Sequence, residues 1–338
     1  MEKIVLGLSG GVDSALSAYL LKAQGYEVMG VYLENGSNAA DDAKRVADDM
    51  GIDFMCVDIM AQLREKVIEP FIKGYLEAKT PIPCIACNPA VKFKVLFDVA
   101  DEIGAKYVAT GHYARITEGE NGEKLLTKAS SKNDQSYMLY RLPKDYIERL
   151  ILPLGEYENK DAVRADAEKY GIHIAKKADS MEICFIPDDD HAKYIEDNGF
   201  TPPAGDFVDE NGKVLGKHLG IHRYTVGQRR GLGIAAAARL FVTKIDAEKN
   251  QVILSFDDLL KHEIEVSAPH IIYNKYLDMG EFDCKCKIRH SKTEYDAHVT
   301  KTDDGFKVFF PEAARAPSPG QSAVFYEGEF VIGGGYIE

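Results

Sequence analysis

Ser9-Gly10-Gly11-Val12-Asp13-Ser14 follows directly on the apolar run Ile4-Val5-Leu6-Gly7-Leu8. A buried strand that stops at a tight glycine turn and restarts as a helix, Ala15 to Lys22, is a narrow structural instruction. Glycines let the backbone approach an anion, and successive N–H groups form a concave phosphate nest. The helix N-terminus adds the favourable end of its dipole. Ser9 and Ser14 supply hydroxyl donors. Asp13 would repel a bare phosphate, so a nucleotide-bound Mg²⁺ is its natural partner. A Walker A loop requires Gly-Lys-Ser/Thr, and the dinucleotide fingerprint requires Gly-x-Gly-x-x-Gly; this stretch has neither. The bland alternative is a Gly-rich turn without a ligand.

The first half alternates strand and helix. Val28–Leu33, Phe54–Val57 and Tyr107–Thr110 read as further strands, with helices at Asp41–Met50 and Ala90–Ile103. That order predicts an α/β fold on a doubly wound parallel sheet, with ligands beyond the carboxyl ends of its strands. Gly111-His112-Tyr113 lies at one such end. Asn121-Gly122 predicts a hairpin joining Ala114–Thr117 to Lys124–Lys128. Helices are expected at about Gln135–Arg141 and Asn159–Tyr170. Gly199–Gly205 reads as a linker. Beyond it come a small β-rich region, with a hairpin from Leu240–Ile245 to Gln251–Ser255, and a C-terminal antiparallel β-barrel. The 338 residues accommodate two or three domains, expected at 1–198, 199–264 and 265–338.

No apolar run approaches a membrane span and no signal segment opens the chain, so a cytoplasmic protein is expected. Net charge is −13, an unpromising balance for a nucleic-acid partner. Its distribution qualifies that, because Asn211–Ile245 contains no Asp or Glu and carries Arg229 and Arg230 among its cations. A second basic cluster is Lys285, Lys287, Arg289, His290 and Lys292. Either suits phosphate binding on one face, or is a solvated loop.

Six cysteines in a reducing compartment do not make a disulfide framework. Cys84-Ile85-Ala86-Cys87 lies in a segment with Pro81, Pro83 and Pro89, which predicts a constrained loop before the helix from Ala90. Cys87 is then near a helix N-terminus with Lys92 and Lys94 following, and a lowered thiol pKa is expected. The pair reads as a redox couple, half a metal site, or a nucleophile with a neighbour. Cys184 is apolar-flanked and reads locally as a buried thiol. Cys56 reads as strand core. Cys284 and Cys286 share one face of a strand and make a poor metal site alone.

The nucleotide loop resembles that of the ATP pyrophosphatases, the PP-loop superfamily. Taken with Cys84, Cys87 and Cys184, the chain resembles the tRNA-specific 2-thiouridylases, the MnmA family, over nearly its whole length. The resemblance runs through Gly7–Ser14, Ala109-Thr110-Gly111-His112-Tyr113, Asn133-Asp134-Gln135-Ser136-Tyr137, Ile183-Cys184-Phe185-Ile186, Gly227-Gln228-Arg229-Arg230-Gly231-Leu232-Gly233 and Pro319–Tyr326. It implies a HUP-like adenylation domain, a central tRNA-binding domain and a terminal barrel. It also implies a reaction: ATP adenylates O2 of the wobble uridine in tRNAs for Lys, Glu and Gln, and sulfur replaces it. A cysteine desulfurase or sulfur-relay protein would be the donor.

By the same resemblance Cys184 carries a persulfide, and Cys87 is the partner nucleophile that frees the sulfur by forming a disulfide with it, or helps a hydrosulfide attack. Asp13 serves catalysis. Gly7, Leu8, Ser9, Gly10, Gly11, Val12, Asp13, Ser14, Leu33 and Gly111 match ATP-binding positions. His112, Asn133, Asp134, Gln135, Gln228, Arg229, Arg230, Arg289, His290 and Gln321 are assigned to tRNA. Where many relatives have Asp, this chain has Cys84. Cys84, Cys87 and Cys184 could therefore ligate an iron–sulfur cluster, or Cys84 could act as a base or resolving thiol. Competing readings are another PP-loop enzyme of the amidotransferase type, and a thiol redox or metal-binding protein with a vestigial loop.

Overall fold

The computed structural model describes residues 1–37, 39–119, 121–175, 183–186, 188, 190–236, 238–257 and 259–338. The chain forms two compact units, one of residues 1–67, 84–185 and 328–331, the other of 68–83, 186–327 and 332–338.

The first unit is built on a parallel sheet. Its chain order gives β1 (Lys3–Gly7), β2 (Glu27–Glu34), β3 (Asp53–Asp58), β4 (Tyr107–Ala109), the hairpin β5 (Ala114–Glu118) with β6 (Lys124–Lys128), and β7 (Leu150–Ile151). The sheet order is β3-β2-β1-β4-β7, parallel at every pairing. β1 is central, and Ile4, Val5 and Leu6 are fully buried. A strand covered on both faces reads as a continuous apolar run, which is why the start of the chain announces itself. α1 (Val12–Ala23) packs Ala15, Leu16, Ala18 and Leu21 into the core. α2 (Ala40–Met50) adds Ala43, Val46 and Ala47 and stops at Gly51, whose left-handed conformation ends the helix. Helix Lys160–Lys169 lays Val163 and Ala167 on the same core. Its cap is Asn159, whose Oδ1 accepts the Ala162 N–H at 2.9 Å, a contribution of about 1 kcal/mol.

Three expectations in this unit are corrected. The 80–89 segment is not a loop: residues Pro83–Cys87 are α-helical, Asn88–Lys92 form a π-helical turn, and Phe93–Glu102 continue the helix. Pro83 is tolerated because first-turn N–H groups have no helical partner. Pro89 lacks the N–H that the ladder needs and crowds the preceding turn, and a widened turn relieves both. The second correction follows, since Cys87 ends the first helical turn rather than opening a helix. Third, Cys56 is exposed, because β3 is an edge strand. The two-residue β7 carries too little pattern to be anticipated.

In the second unit β8 (Gly205–Val208), β9 (Val214–His218), β10 (Phe241–Asp246) and β11 (Gln251–Ser255) form a sheet ordered β10-β11-β8-β9. Phe207, Tyr224, Val242, Val252 and Leu254 make its core. β12 (Leu260–Ile271), β13 (Glu281–Lys287), β14 (Tyr295–Lys301), β15 (Gly305–Arg315), β16 (Ser322–Glu327) and β17 (Phe330–Ile337) follow in the order β12-β15-β14-β13-β16-β17. β12 also pairs with β17, Val266 opposite Ile337, which closes the antiparallel barrel and removes its edges. The expected barrel is present, with Val299, Val308, Phe310 and Phe325 buried. Among the described residues no helix is long and apolar enough to cross a membrane.

Candidate active site

β1 and β4 run parallel, so the segments leaving their carboxyl ends are neighbours. From β1 comes the loop Leu8–Gly11. Gly10 sits at φ +71°, and a Cβ there would meet the Ala43 backbone N at 2.9 Å. Ser14 Oγ ties the loop together: it donates to the Gly11 carbonyl at 3.0 Å and accepts the Ser9 N–H at 3.2 Å. No side chain caps α1. An anion seated on the loop would take that role.

From β4 comes Thr110–Tyr113. Gly111 lies on the backbone of α1, where a Cβ would meet the Asp13 carbonyl carbon at 2.9 Å and the Ser14 N at 3.0 Å. Glycine is required there by close approach, and the contact brings His112 and Tyr113 to the nucleotide loop. The Tyr113 hydroxyl donates to Asp13 Oδ1 at 2.7 Å, and Lys160 Nζ lies 3.9 Å from Oδ2. Lys160 is a second cation-bearing position near the phosphate nest that the sequence did not single out. Leu33 stands at the carboxyl end of β2, on the same side of the sheet.

The cysteine helix reaches this place through Lys92. Its Nζ is 3.5 Å from His112 Nε2, and His112 Nδ1 is 2.7 Å from Thr110 Oγ1. Burial, with Lys92 beside it, holds the imidazole well below its ordinary pKa, so the ring is neutral. Lys92 has only donors, which assigns the ring proton to Nδ1 and makes Thr110 its acceptor. The face of the ring lies against Phe93, centroids 5.8 Å apart.

Cys84 and Cys87 are one helical turn apart and partly buried, and Cys184 is exposed. All three lie in the first unit, near enough for the charge on Cys184 to be felt at the other two. The expected low thiol pKa is reversed. Burial pushes Cys87 up to about 11; the Lys92 ammonium and backbone N–H oppose that and are outweighed. Burial raises Cys84 likewise, with Lys92 again opposing. The motif around Cys184 includes Asp179-Ser180-Met181-Glu182 and Pro187, which lie outside the described residues. Among the described residues no three His, Cys, Asp or Glu side chains stand where they could share a metal ion. As folded, the three thiols do not fit a cluster.

Apart from His112, held between Thr110 and Lys92, the residues assigned to RNA divide in two. Asp134 accepts from the N–H groups of Ala129 and Ser136 and from Ser136 Oγ. Gln135 exchanges bonds with the Tyr113 backbone. Gln228 closes its own loop, accepting from Thr225 N at 3.0 Å and donating to the Arg230 carbonyl at 3.0 Å. Gln321 donates to the Thr80 carbonyl at 2.7 Å. Arg289 Nη2 holds the carbonyls of Arg315 and Ala316, the latter at 2.5 Å. Each of these five side chains is held by partners within the protein. Asn133, Arg229, Arg230 and His290 are exposed. Of the acid-free stretch, Lys217 pairs with Asp206 at 2.7 Å and Arg223 with Glu196 at 2.5 Å. In the barrel cluster Lys285 pairs with Asp296 and Lys287 with Glu294. Arg229 and Arg230 make no ion pair among the described residues, so the loop that Gln228 shapes carries unspent charge.

Lys160 was not singled out in the sequence, and Lys92 and Tyr113 were noted there without these contacts. The signal for Lys92 was Pro89: a π turn places residue i+5 where an α-helix places i+4. Lys160 and Tyr113 carried no such signal, because their relation to Asp13 is purely tertiary.

Comparison with known proteins accords with this arrangement. Residues 2–188 match the tRNA methyl transferase HUP domain, 193–255 the tRNA methyl transferase PRC-barrel domain, and 261–337 the aminomethyltransferase beta-barrel domain. The tRNA-specific 2-thiouridylase MnmA of Clostridium acetobutylicum is 44% identical over 100% of this chain and 99% of its own length. That of Clostridioides difficile is 42% identical over 100% of this chain and 98% of its own length. With identity at this level from end to end, through the phosphate loop and the barrel alike, the chain belongs to the family of tRNA-specific 2-thiouridylases.

Proposed function

We propose that the protein is an ATP-dependent tRNA sulfurtransferase that replaces O2 of the wobble uridine with sulfur in tRNAs for Lys, Glu and Gln. One observation carries the reading: within a single unit, Gly111 and Tyr113 rest on Asp13 while Lys92, from the helix bearing Cys84 and Cys87, reaches His112. We read the phosphate nest and the thiols as parts of one site. Methyl transfer, which two of the matching domain names mention, needs neither.

A uracil C2 oxygen is a poor leaving group, and the nest answers that problem. Ser9–Ser14 and the α1 N-terminus hold the phosphates, with Lys160 beside them. O2 attacks the α-phosphorus and pyrophosphate leaves. Mg²⁺ arrives with the nucleotide, and Asp13 is the carboxylate at the loop that suits it. The terminal sulfur of a persulfide on Cys184 then attacks C2, and AMP departs. Cys87 gives its thiol proton to water and, as thiolate, attacks Cys184 Sγ; the sulfur–sulfur bond breaks, the thiocarbonyl stays on the base, and a Cys87–Cys184 disulfide remains. Cys84, one turn from Cys87, takes that disulfide over by exchange and frees Cys184. An external dithiol then reduces the Cys84–Cys87 pair. A cysteine desulfurase or a sulfur-relay protein reloads Cys184.

A three-thiolate iron–sulfur cluster is the other route that the same residues suggest, but the side chains as folded do not meet in metal-binding range. We divide the chain functionally into 1–198 for adenylation and thiolation, 199–264 for tRNA binding and 265–338 for the barrel, in the cytoplasm. The test is direct: incubate the protein with unmodified lysine tRNA, Mg-ATP and a desulfurase with cysteine. Mass spectrometry should find 2-thiouridine only when ATP is present. Its absence with a persulfide-loaded, correctly folded enzyme overturns the reading.

A further inference from the structure

Tyr113 is almost fully buried, and a buried phenol O–H needs a hydrogen-bond partner. Here the phenol donates to Asp13 Oδ1 at 2.7 Å. The same residue is gripped from the opposite side. Its N–H donates to Gln135 Oε1 at 2.9 Å, and its carbonyl accepts the Gln135 N–H at 2.7 Å. Gln135 is itself held in a turn that Asp134 fastens with three accepted bonds, to Ala129 N, Ser136 N and Ser136 Oγ. The chain of contacts runs from the 131–136 turn through one tyrosine to the nucleotide loop, all within the first unit.

An Asp at the first turn of a helix has rotamer freedom, and a cation ligand that samples several rotamers binds weakly. A phenol on one oxygen removes that freedom and leaves the other oxygen on the side of Lys160 Nζ, 3.9 Å away. We propose that Tyr113 is a positioning residue for the divalent cation carried by the nucleotide, and that Gln135, holding Tyr113, belongs to the nucleotide site rather than to the RNA surface. This rests on reading Ser9–Ser14 as a nucleotide loop, and extends it to two residues outside the loop.

The experiment is equilibrium binding of α,β-methylene ATP to the full chain, titrated over a range of Mg²⁺ concentrations and in EDTA, beside tRNA binding by anisotropy. Tyr113→Phe keeps the buried ring and loses only the hydroxyl. It should weaken Mg²⁺-dependent analogue binding about tenfold and leave binding in EDTA within about twofold. Asp13→Asn should do the same or more, and the double variant should be no worse than Asp13→Asn alone, because the tyrosine acts only through the carboxylate. Gln135→Leu should shift analogue binding in the same direction, about threefold, with tRNA affinity unchanged. Gln135→Glu retains an acceptor for the Tyr113 N–H and should restore it. Additive effects in the double variant, or an unchanged Mg²⁺ dependence in Tyr113→Phe, overturn the proposal. So does a Gln135→Glu variant that loses tRNA affinity, the expected result for a phosphate contact. A wild-type chain that binds no analogue at any Mg²⁺ concentration removes the nucleotide reading itself, which is a separate and recognisable outcome.

Discussion

The nucleotide loop and the cysteine helix are equally rich in chemistry, and they differ in readiness. Around Ser9–Ser14 every polar side chain has a fixed partner: Ser14 on Gly11, Ser17 on the Asp13 carbonyl, Asp13 on Tyr113. The loop's geometry is set by bonds within the chain. The thiols of Cys84 and Cys87 are instead partly buried, and burial outweighs the nearby Lys92, so both are protonated at neutral pH. Adenylation is preorganised, whereas sulfur transfer waits. That order suits the chemistry. A resting thiolate beside a persulfide would discharge the sulfur before the uracil is activated, and a protonated one does not.

The strongest way to break the comparison is to disable each side alone. Asp13→Ala should abolish AMP formation and leave tRNA affinity within a few-fold. Cys184→Ala should keep tRNA-dependent AMP formation and lose 2-thiouridine entirely. Thin-layer separation of labelled AMP, with mass spectrometry of the same tRNA, reads both. If Cys184→Ala also stops AMP formation, the two sides are not separable and the contrast drawn here is wrong.

Thiol readiness has its own measurement. With a pKa of about 11 for Cys87, its thiolate is roughly one part in ten thousand at pH 7. The shift is upward, so the reactive form is scarce below the ordinary cysteine range and grows as pH rises. Iodoacetamide labelling of Cys87, followed by peptide mass spectrometry, should accelerate about tenfold per pH unit from 7 to 10 and show no plateau in that range. A plateau below pH 8 would restore the low-pKa expectation. Adding tRNA and the non-hydrolysable nucleotide sharpens the test: a substrate that triggers the waiting side should raise the labelling rate of unshielded Cys87 at pH 7.

The same contrast explains what could be read without coordinates. Ile4–Leu8 and the glycine turn were legible because a central parallel strand and a phosphate nest each demand a local pattern. The Asn121-Gly122 hairpin and the helix beginning near Asn159 were legible for the same reason. The cysteine helix was misread because three prolines argue for a loop unless one sees that Pro83 occupies a first turn and Pro89 widens a turn into a π-helix. The Cys87 thiol was misread with it, since helix-terminus and lysine effects are local, whereas burial depends on the whole packed unit. Gln135, Gln228 and Gln321 were assigned outward roles, yet each spends its amide on backbone. A glutamine gives no sequence sign of whether its partner is RNA or a carbonyl of its own chain.

The smallest expected effect concerns how RNA is held for the waiting thiols. Of the two basic regions, the barrel cluster neutralises Lys285 with Asp296 and Lys287 with Glu294. The Gln228 loop leaves Arg229 and Arg230 exposed and without ion pairs among the described residues. Counterion release counts only charges that meet phosphate, each adding about 0.7–0.9 to the slope of log affinity against log salt. Arg229→Ala with Arg230→Ala should therefore weaken tRNA binding several-fold at 0.15 M salt and flatten that slope by about 1.4–1.8. Lys285→Ala removes a charge already matched within the protein, and should change neither affinity nor slope beyond error. Anisotropy titrations from 50 to 300 mM KCl separate the two variants. Equal slopes for wild type and the double arginine variant would move the RNA contact away from this loop, and a flattened slope for Lys285→Ala would place it on the barrel instead.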